Sequence, residues 1–165
     1  KLINVNEPLA NVNGVLNAIN IETDQLQKLF LEGEGAGGKA TASSVISDLY
    51  EIKSNSNILS LGYSVQKLIN YKKLDSNEIE SSYYIRITAK DITGVLSKIT
   101  SYFNESDISV KKILQLPDTE KYQENIPIII TTHSVKKNKL LDSIKKIEKQ
   151  NFISEKISII PIYNN

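Results

Sequence analysis

The stretch Tyr83–Gln115, YYIRITAKDITGVLSKITSYFNESDISVKKILQ, changes its hydrophobic period twice, and this limits the possible folds more than any other feature of the chain. Tyr83, Ile85, Ile87 and Ala89 alternate with Tyr84, Arg86, Thr88 and Lys90, the period-two pattern of a strand with one buried face. After Asp91-Ile92-Thr93-Gly94, the apolar set Val95, Leu96, Ile99, Tyr102 and Phe103 takes helical spacing. Alternation returns at Ile108 and Val110 and slips at Ile113, where a bulge would turn a side chain to the opposite face. Strand, tight turn, helix and strand follow in that order.

The next segment repeats this pattern in altered form. Ile126, Ile128 and Ile130 alternate into Thr131-Thr132-His133, with Pro127 better suited to the beginning or edge of a strand than to its middle. Asp118 to Asn125 reads as an exposed hairpin loop, Leu140, Leu141, Ile144 and Ile147 as a helical stripe, and Ile157 to Tyr163 as a last strand. The order βαββαβ predicts an antiparallel, ferredoxin-like sheet with both helices on one face. Ile113 and Ile129 are expected on the other face, and an apolar sheet face of this kind is normally buried by a partner, so a homodimer is expected.

The N-terminal part has strands but too few of them for a fold of its own. Val15, Asn17, Ile19 and Ile21 alternate, Glu22-Thr23-Asp24-Gln25 supplies a turn, and Lys28 to Leu31 returns, giving a hairpin that is marginal in water by itself. In GEGAGGKATASSVISDLYEI, Gly33 reads as a turn residue and Thr41 as the N-cap of a helix carrying Val45, Ile46, Leu49 and Ile52. The glycine spacing is neither G-x-G-x-x-G nor a P-loop, so a bare turn and a nucleotide contact both remain open on chemistry alone. Ser54-Asn55-Ser56-Asn57 is a polar connector, and Ser76-Asn77 with Ser81-Ser82 marks a second boundary. Between them Leu61, Val65, Leu68, Ile69 and Tyr71 allow one short amphipathic helix. The expected division is 1–53, then a linker over 54–82, then a module over 83–165.

Composition removes several kinds of chemistry. With no cysteine and one histidine, thiolate catalysis, disulfides and Cys or His metal clusters are excluded, and no metal site is expected. No apolar run approaches the roughly 20 residues of a membrane helix, and 20 basic against 19 acidic residues leave +1, which calls for no polyanionic partner. A cytoplasmic setting without membrane or nucleic-acid partners is the default. The lysines Lys136, Lys137, Lys139, Lys145, Lys146 and Lys149 read as a solvated helix face interrupted by Asp142 and Glu148. RNA-binding modules share the βαββαβ order, yet they stack bases on strand aromatics, and here Tyr83 and Tyr84 point to opposite faces. The chain contains no methionine and begins at Lys1, which reads as part of a longer product.

Gly94 stands at a sharp turn before a helix N-terminus, where N–H groups and the helix dipole favour an anion; an ordinary packing turn is the alternative. The run DITGVLSKIT, the NESDIS turn and a strand ending at Gln115 resemble the first half of an ACT domain. That resemblance implies an amino-acid effector at Asp91, Ile92, Thr93, Gly94, Val95 and Leu96. PLANVNGVLNAINIE and GEGAGGKATASSVISDL, taken with the ACT-like part, are similar to the C-terminal portion of bacterial homoserine dehydrogenases. The resemblance implies an α+β chain in which the end of an NAD(P)-dependent oxidoreductase catalytic region precedes the ACT domain. Gly35, Ala36, Gly37 and Thr41 match the cofactor-proximal loop, and no catalytic residue is assigned. Glu34 and Ala40 depart from the family, which commonly has proline at both positions. The family implies L-threonine as effector, a pair of ACT domains as the dimer, and no catalysis or bound cofactor in this stretch alone. A free-standing amino-acid sensor is the alternative, and a nucleic-acid module a more distant one.

Overall fold

The computed structural model describes residues 1–54, 64–69, 73–115 and 124–163. The chain divides into two compact units, Asn4–Lys72 and a second made of Lys1–Ile3 with Lys73–Asn165.

The second unit is built on β3 (Glu80–Lys90), α2 (Val95–Glu105), β4 (Val110–Gln115), β5 (Asn125–Thr132), β6 (Val135–Lys136), α3 (Lys137–Glu148) and β7 (Ser158–Ile162). Its antiparallel sheet has the order β4-β5-β3-β7, with β6 paired to the first residues of β3. Tyr83, Ile85, Ile87 and Ala89 of β3 and Ile126, Ile128 and Ile130 of β5 are buried. They lie beneath Val95, Ile99 and Phe103 of α2 and Leu140, Ile144 and Ile147 of α3, so the two sheet periods and the two helical stripes meet in one core. The helices approach closely at Ser143, whose buried hydroxyl donates to the Tyr102 carbonyl at 3.1 Å. This is the α+β, ferredoxin-like arrangement expected.

Several details correct the sequence reading. Ser81 and Ser82 do not mark a boundary: β3 starts at Glu80, both serines are buried in it, and the Ser81 hydroxyl donates to the Ile162 carbonyl at 3.1 Å. Between β5 and α3 the two-residue β6 is added, set by Glu80↔Lys136 and Ser81↔Val135. The bulge lies earlier than Ile113, because Val110 faces Thr132 while Lys112 faces Thr131, leaving Lys111 as the extra residue. The register then sets Ile113 opposite the buried Ile130 and Leu114 opposite Ile129. Residues directly opposite share a face, so Leu114 rather than Ile113 joins Ile129 on the bare side. Ile113 is 40% exposed because β4 is the outer strand. Pro127 is third in β5, near the beginning of the strand, where it pairs with Thr88 of β3. Of the loop expected over Asp118 to Asn125, residues 118–123 lie outside the described residues.

The unit Asn4–Lys72 contains the hairpin β1 (Leu16–Thr23) and β2 (Gln27–Glu34) and the helix α1 (Gly38–Ser54). The Thr23 hydroxyl accepts from Leu26 N–H at 2.9 Å, and Gln27 takes a left-handed conformation, closing the turn. Gly33 is not a turn residue; it lies in β2, opposite Asn17. Ile19 and Ile21 are exposed beside Leu31 and Leu29, and α1 has no buried residue. Of the short amphipathic helix expected over Leu61 to Tyr71, the described residues 64–69 hold a 3₁₀ turn, Val65–Lys67, while Leu61 and Tyr71 lie outside the described residues. Among the described residues no helix is long and apolar enough to cross a membrane.

Candidate effector and nucleotide loops

At the end of β3 the chain is pinned before it turns. Lys90 N–H donates to the Phe152 carbonyl at 2.9 Å and Asp91 N–H to the Glu124 carbonyl at 3.0 Å. Ile92 to Val95 then form a β-turn closed by Val95 N–H to the Ile92 carbonyl at 3.3 Å. Gly94 is its third residue, with φ 91° and ψ −7°, and Thr93 is not left-handed, which makes the turn type II. A Cβ built on Gly94 would meet nothing within 4 Å. The glycine is therefore required for its dihedral angle, and the space beside it stays open. Val95 anchors the helix by burying its side chain, so only its backbone faces the loop, whereas Asp91, Ile92, Thr93 and Leu96 are exposed. All six predicted effector residues form one continuous strand-to-helix junction.

The glycine loop joins β2 to α1. Gly35 N–H donates to the Val15 carbonyl at 2.9 Å, and a Cβ on Gly35 would lie 1.2 Å from Asn17 Nδ2. At Gly35 the Asn17 amide would have to swing aside for a side chain, whereas Gly37 has φ +123° and is restricted to glycine by its backbone. Thr41 is not the N-cap. The helix begins at Gly38, and Thr41 sends both its N–H (3.1 Å) and its hydroxyl (3.0 Å) to the Gly37 carbonyl. It thereby ties the loop to the first helical turn. Asn17, which sequence reasoning did not single out, covers Gly35, and the hairpin register opposite Gly33 is the signal that leads to it.

Lys136 pairs with Glu78 at 2.6 Å, Lys139 with Asp107 at 2.9 Å and Lys145 with Asp142 at 3.2 Å. The hydrogen bond and charge of Glu78 raise the Lys136 pKa, and burial raises that of Tyr83. Tyr83 is in the core, and Tyr84, on the opposite face, is the partly exposed one of the pair. His133 follows β5, its N–H donating to the Ser109 carbonyl at 2.9 Å.

A βαββαβ sheet of order β4-β5-β3-β7 with a left-handed glycine at its first strand–helix junction defines an ACT-type module, and the ACT domain family matches residues 83–151. The homoserine dehydrogenase family matches residues 1–50. Homoserine dehydrogenase of Helicobacter pylori is 31% identical over 156 residues, covering 94% of this chain and 36% of that protein. That of Pseudomonas aeruginosa is 33% identical over 146 residues, covering 85% of this chain and 33% of its own length. A crystal structure of a homoserine dehydrogenase from Thiobacillus denitrificans superposes with a TM-score of 0.82 at 27% identity, over 98% of this chain and 37% of that one. The chain belongs to the homoserine dehydrogenase family, of which it carries the C-terminal portion: the end of the catalytic region followed by the ACT domain. It spans about a third of the length of these relatives.

Proposed function

We propose that this chain is the regulatory end of an enzyme that interconverts L-homoserine and L-aspartate 4-semialdehyde with NAD(P) in the cytoplasm. On this reading the end of the catalytic region lies within 1–53, a linker follows from 54, the ACT domain starts with β3 at Glu80 rather than at 83, and the catalytic groups lie outside this chain. Gly35, Ala36, Gly37 and Thr41 suit the edge of a nucleotide. Gly37 is restricted to glycine by its φ and has open space beside it, so backbone can come close to a ligand there, and Thr41 holds the loop in place. When bound, the cofactor would accept or donate the hydride, and these residues would lie along its edge and help to position it.

The ACT module would take an amino-acid effector at Asp91 to Leu96. Gly94 carries this reading: a left-handed turn with open space beside it, at the start of a helix anchored by the buried Val95. The backbone around Gly94 and Val95 suits a carboxylate, and the exposed Asp91 suits an ammonium. L-threonine is the effector, and two modules pair through the bare sheet face. Calorimetry of the 165-residue chain with L-threonine, then lysine, methionine and isoleucine, tests the effector. Ligand at about a hundred times its dissociation constant adds roughly 2.7 kcal/mol to the unfolding free energy. Absence of heat from all four would overturn the effector reading.

A further inference from the structure

Leu2, at the opposite end of the sequence from β7, is hydrogen-bonded to it from both sides. Leu2 N–H donates to the Pro161 carbonyl at 2.8 Å, and Tyr163 N–H donates to the Leu2 carbonyl at 2.7 Å, making a parallel bridge between Leu2 and Ile162. The Lys1 ammonium lies 6.0 Å from the centre of the Tyr163 ring, a cation–π contact. The other edge of β7 is already paired to β3, so this segment occupies the strand edge that β7 would otherwise present to solvent. Lys1 also lines a cavity of about 400 Å³ with Tyr83 and Leu140 of the core and Ile159 and Pro161 of β7.

Lys1–Ile3 therefore belongs to the unit of the ACT sheet, while the residues from Asn4 onward belong to the unit that holds the glycine loop. The chain passes between units at Ile3–Asn4 and returns at Lys72–Lys73. Only a short path separates the first crossing from the hairpin: Glu7 N–H bonds the Asn4 carbonyl at 2.9 Å, a 3₁₀ turn follows at Pro8–Asn11, and β1 begins at Leu16. We infer that Lys1–Ile3 is a coupling strand: the outer edge of β7 captures it by strand addition, and a change in the ACT sheet is transmitted through it to the unit of the glycine loop. Strand addition suits this task because its bonds are main-chain and directional, so a shift of β7 along its axis displaces Leu2 with it. The inference rests on the regulatory reading above only for the identity of the effector.

Two substitutions each remove one of these bonds and leave the β3–β7 ladder intact. Leu2→Pro deletes the donor to Pro161, and Tyr163→Pro, one residue beyond β7, deletes the donor to Leu2. Leu2→Ala keeps both main-chain bonds and serves as the control, with circular dichroism confirming that each variant folds. In the full-length protein, the proline variants are expected to bind L-threonine within twofold of the native affinity while the inhibition of homoserine oxidation weakens at least fivefold; Leu2→Ala keeps the inhibition. Native inhibition in both proline variants would overturn the inference. A second measurement needs no effector. Hydrogen exchange of the Glu7 and Ala10 amides, whose acceptors are Asn4 and Glu7, is expected to quicken at least threefold in the proline variants. Native exchange rates there would equally overturn it. If the native enzyme neither binds nor responds to threonine, the effector reading fails and hydrogen exchange alone decides the coupling.

Discussion

Replacing Gly94 separates the two demands made on that position. Its φ of 91° lies in the left-handed region, where an L-residue with a Cβ costs about 1–2 kcal/mol. Among the described residues nothing beyond the adjoining ones lies within 4 Å of the added atom, so the native-state penalty is backbone strain. Losing glycine also reduces the entropy of the unfolded chain, which returns about 0.4–1 kcal/mol. Gly94→Ala should therefore destabilise by about 0.5–1 kcal/mol net, lowering Tm by a few degrees for a domain of this size. Asparagine visits the left-handed region far more readily, so Gly94→Asn should recover most of that loss. Binding should not recover with it. The space beside Gly94 is where a carboxylate would meet the backbone, and Ala and Asn each place a Cβ there. Thermal unfolding with and without L-threonine reads both quantities in one experiment. Native stability in Gly94→Ala would refute the strained turn, and native threonine affinity in Gly94→Asn would refute close approach as the reason for glycine.

Phe103→Ala, at a fully buried position on the core-facing side of α2, should cost about 3–5 kcal/mol in urea denaturation. Lys145→Ala removes an exposed i,i+3 pair with Asp142 and should change stability by less than about 0.5 kcal/mol, leaving threonine binding intact. Leu114→Asp, placing charge on the bare sheet face beside Ile129, should turn a sedimenting dimer into a monomer; an unchanged dimer would place the interface elsewhere. The folded-state pKa values of Tyr83 and Lys136 are both raised, so the stability they contribute is fully present below their ordinary values, about 10 and 10.4, and is lost as pH rises through the folded ones. The urea midpoint should therefore fall above about pH 10, less steeply in Tyr83→Phe, whose ring cannot ionise.

The ACT sheet was legible where environment contrasts strongly between its two faces. Tyr83 to Ala89 and Ile126 to Ile130 alternate because one face meets α2 and α3 and the other does not. Parity failed where that contrast disappears. Lys111-Lys112 gives no apolar marker, so the bulge could not be located, and with Ile113 and Leu114 adjacent only the pairing to β5 decides which faces which way. Ser81 and Ser82 looked like a break because polar residues usually are one. Burial of Ser81 is tolerated because its hydroxyl has a carbonyl partner. The two residues of β6 are too short to show any period.

In the glycine loop, composition identified the residues but not their geometry. A threonine before an apolar stripe suggests a cap, yet Gly37 and Gly38 let the chain enter the helix four residues earlier, at Gly38 rather than Ala42, and the Thr41 hydroxyl bonds back to Gly37 from inside the first turn. The exposed Ile19, Ile21, Leu29 and Leu31 of the hairpin, and Val45, Ile46, Leu49 and Ile52 of α1, keep the periods of buried faces although these residues are exposed in the chain. Their pattern was legible, but what they pack against is not written in the same segment. The Leu2–Ile162 bridge is the extreme case. Main-chain bonds select no side chain, and a pairing that joins the two ends of the chain leaves no local periodicity, so only coordinates reveal it. Local period and glycine content thus located the candidate loops, whereas the strand pairing that would couple them is a non-local property of the backbone.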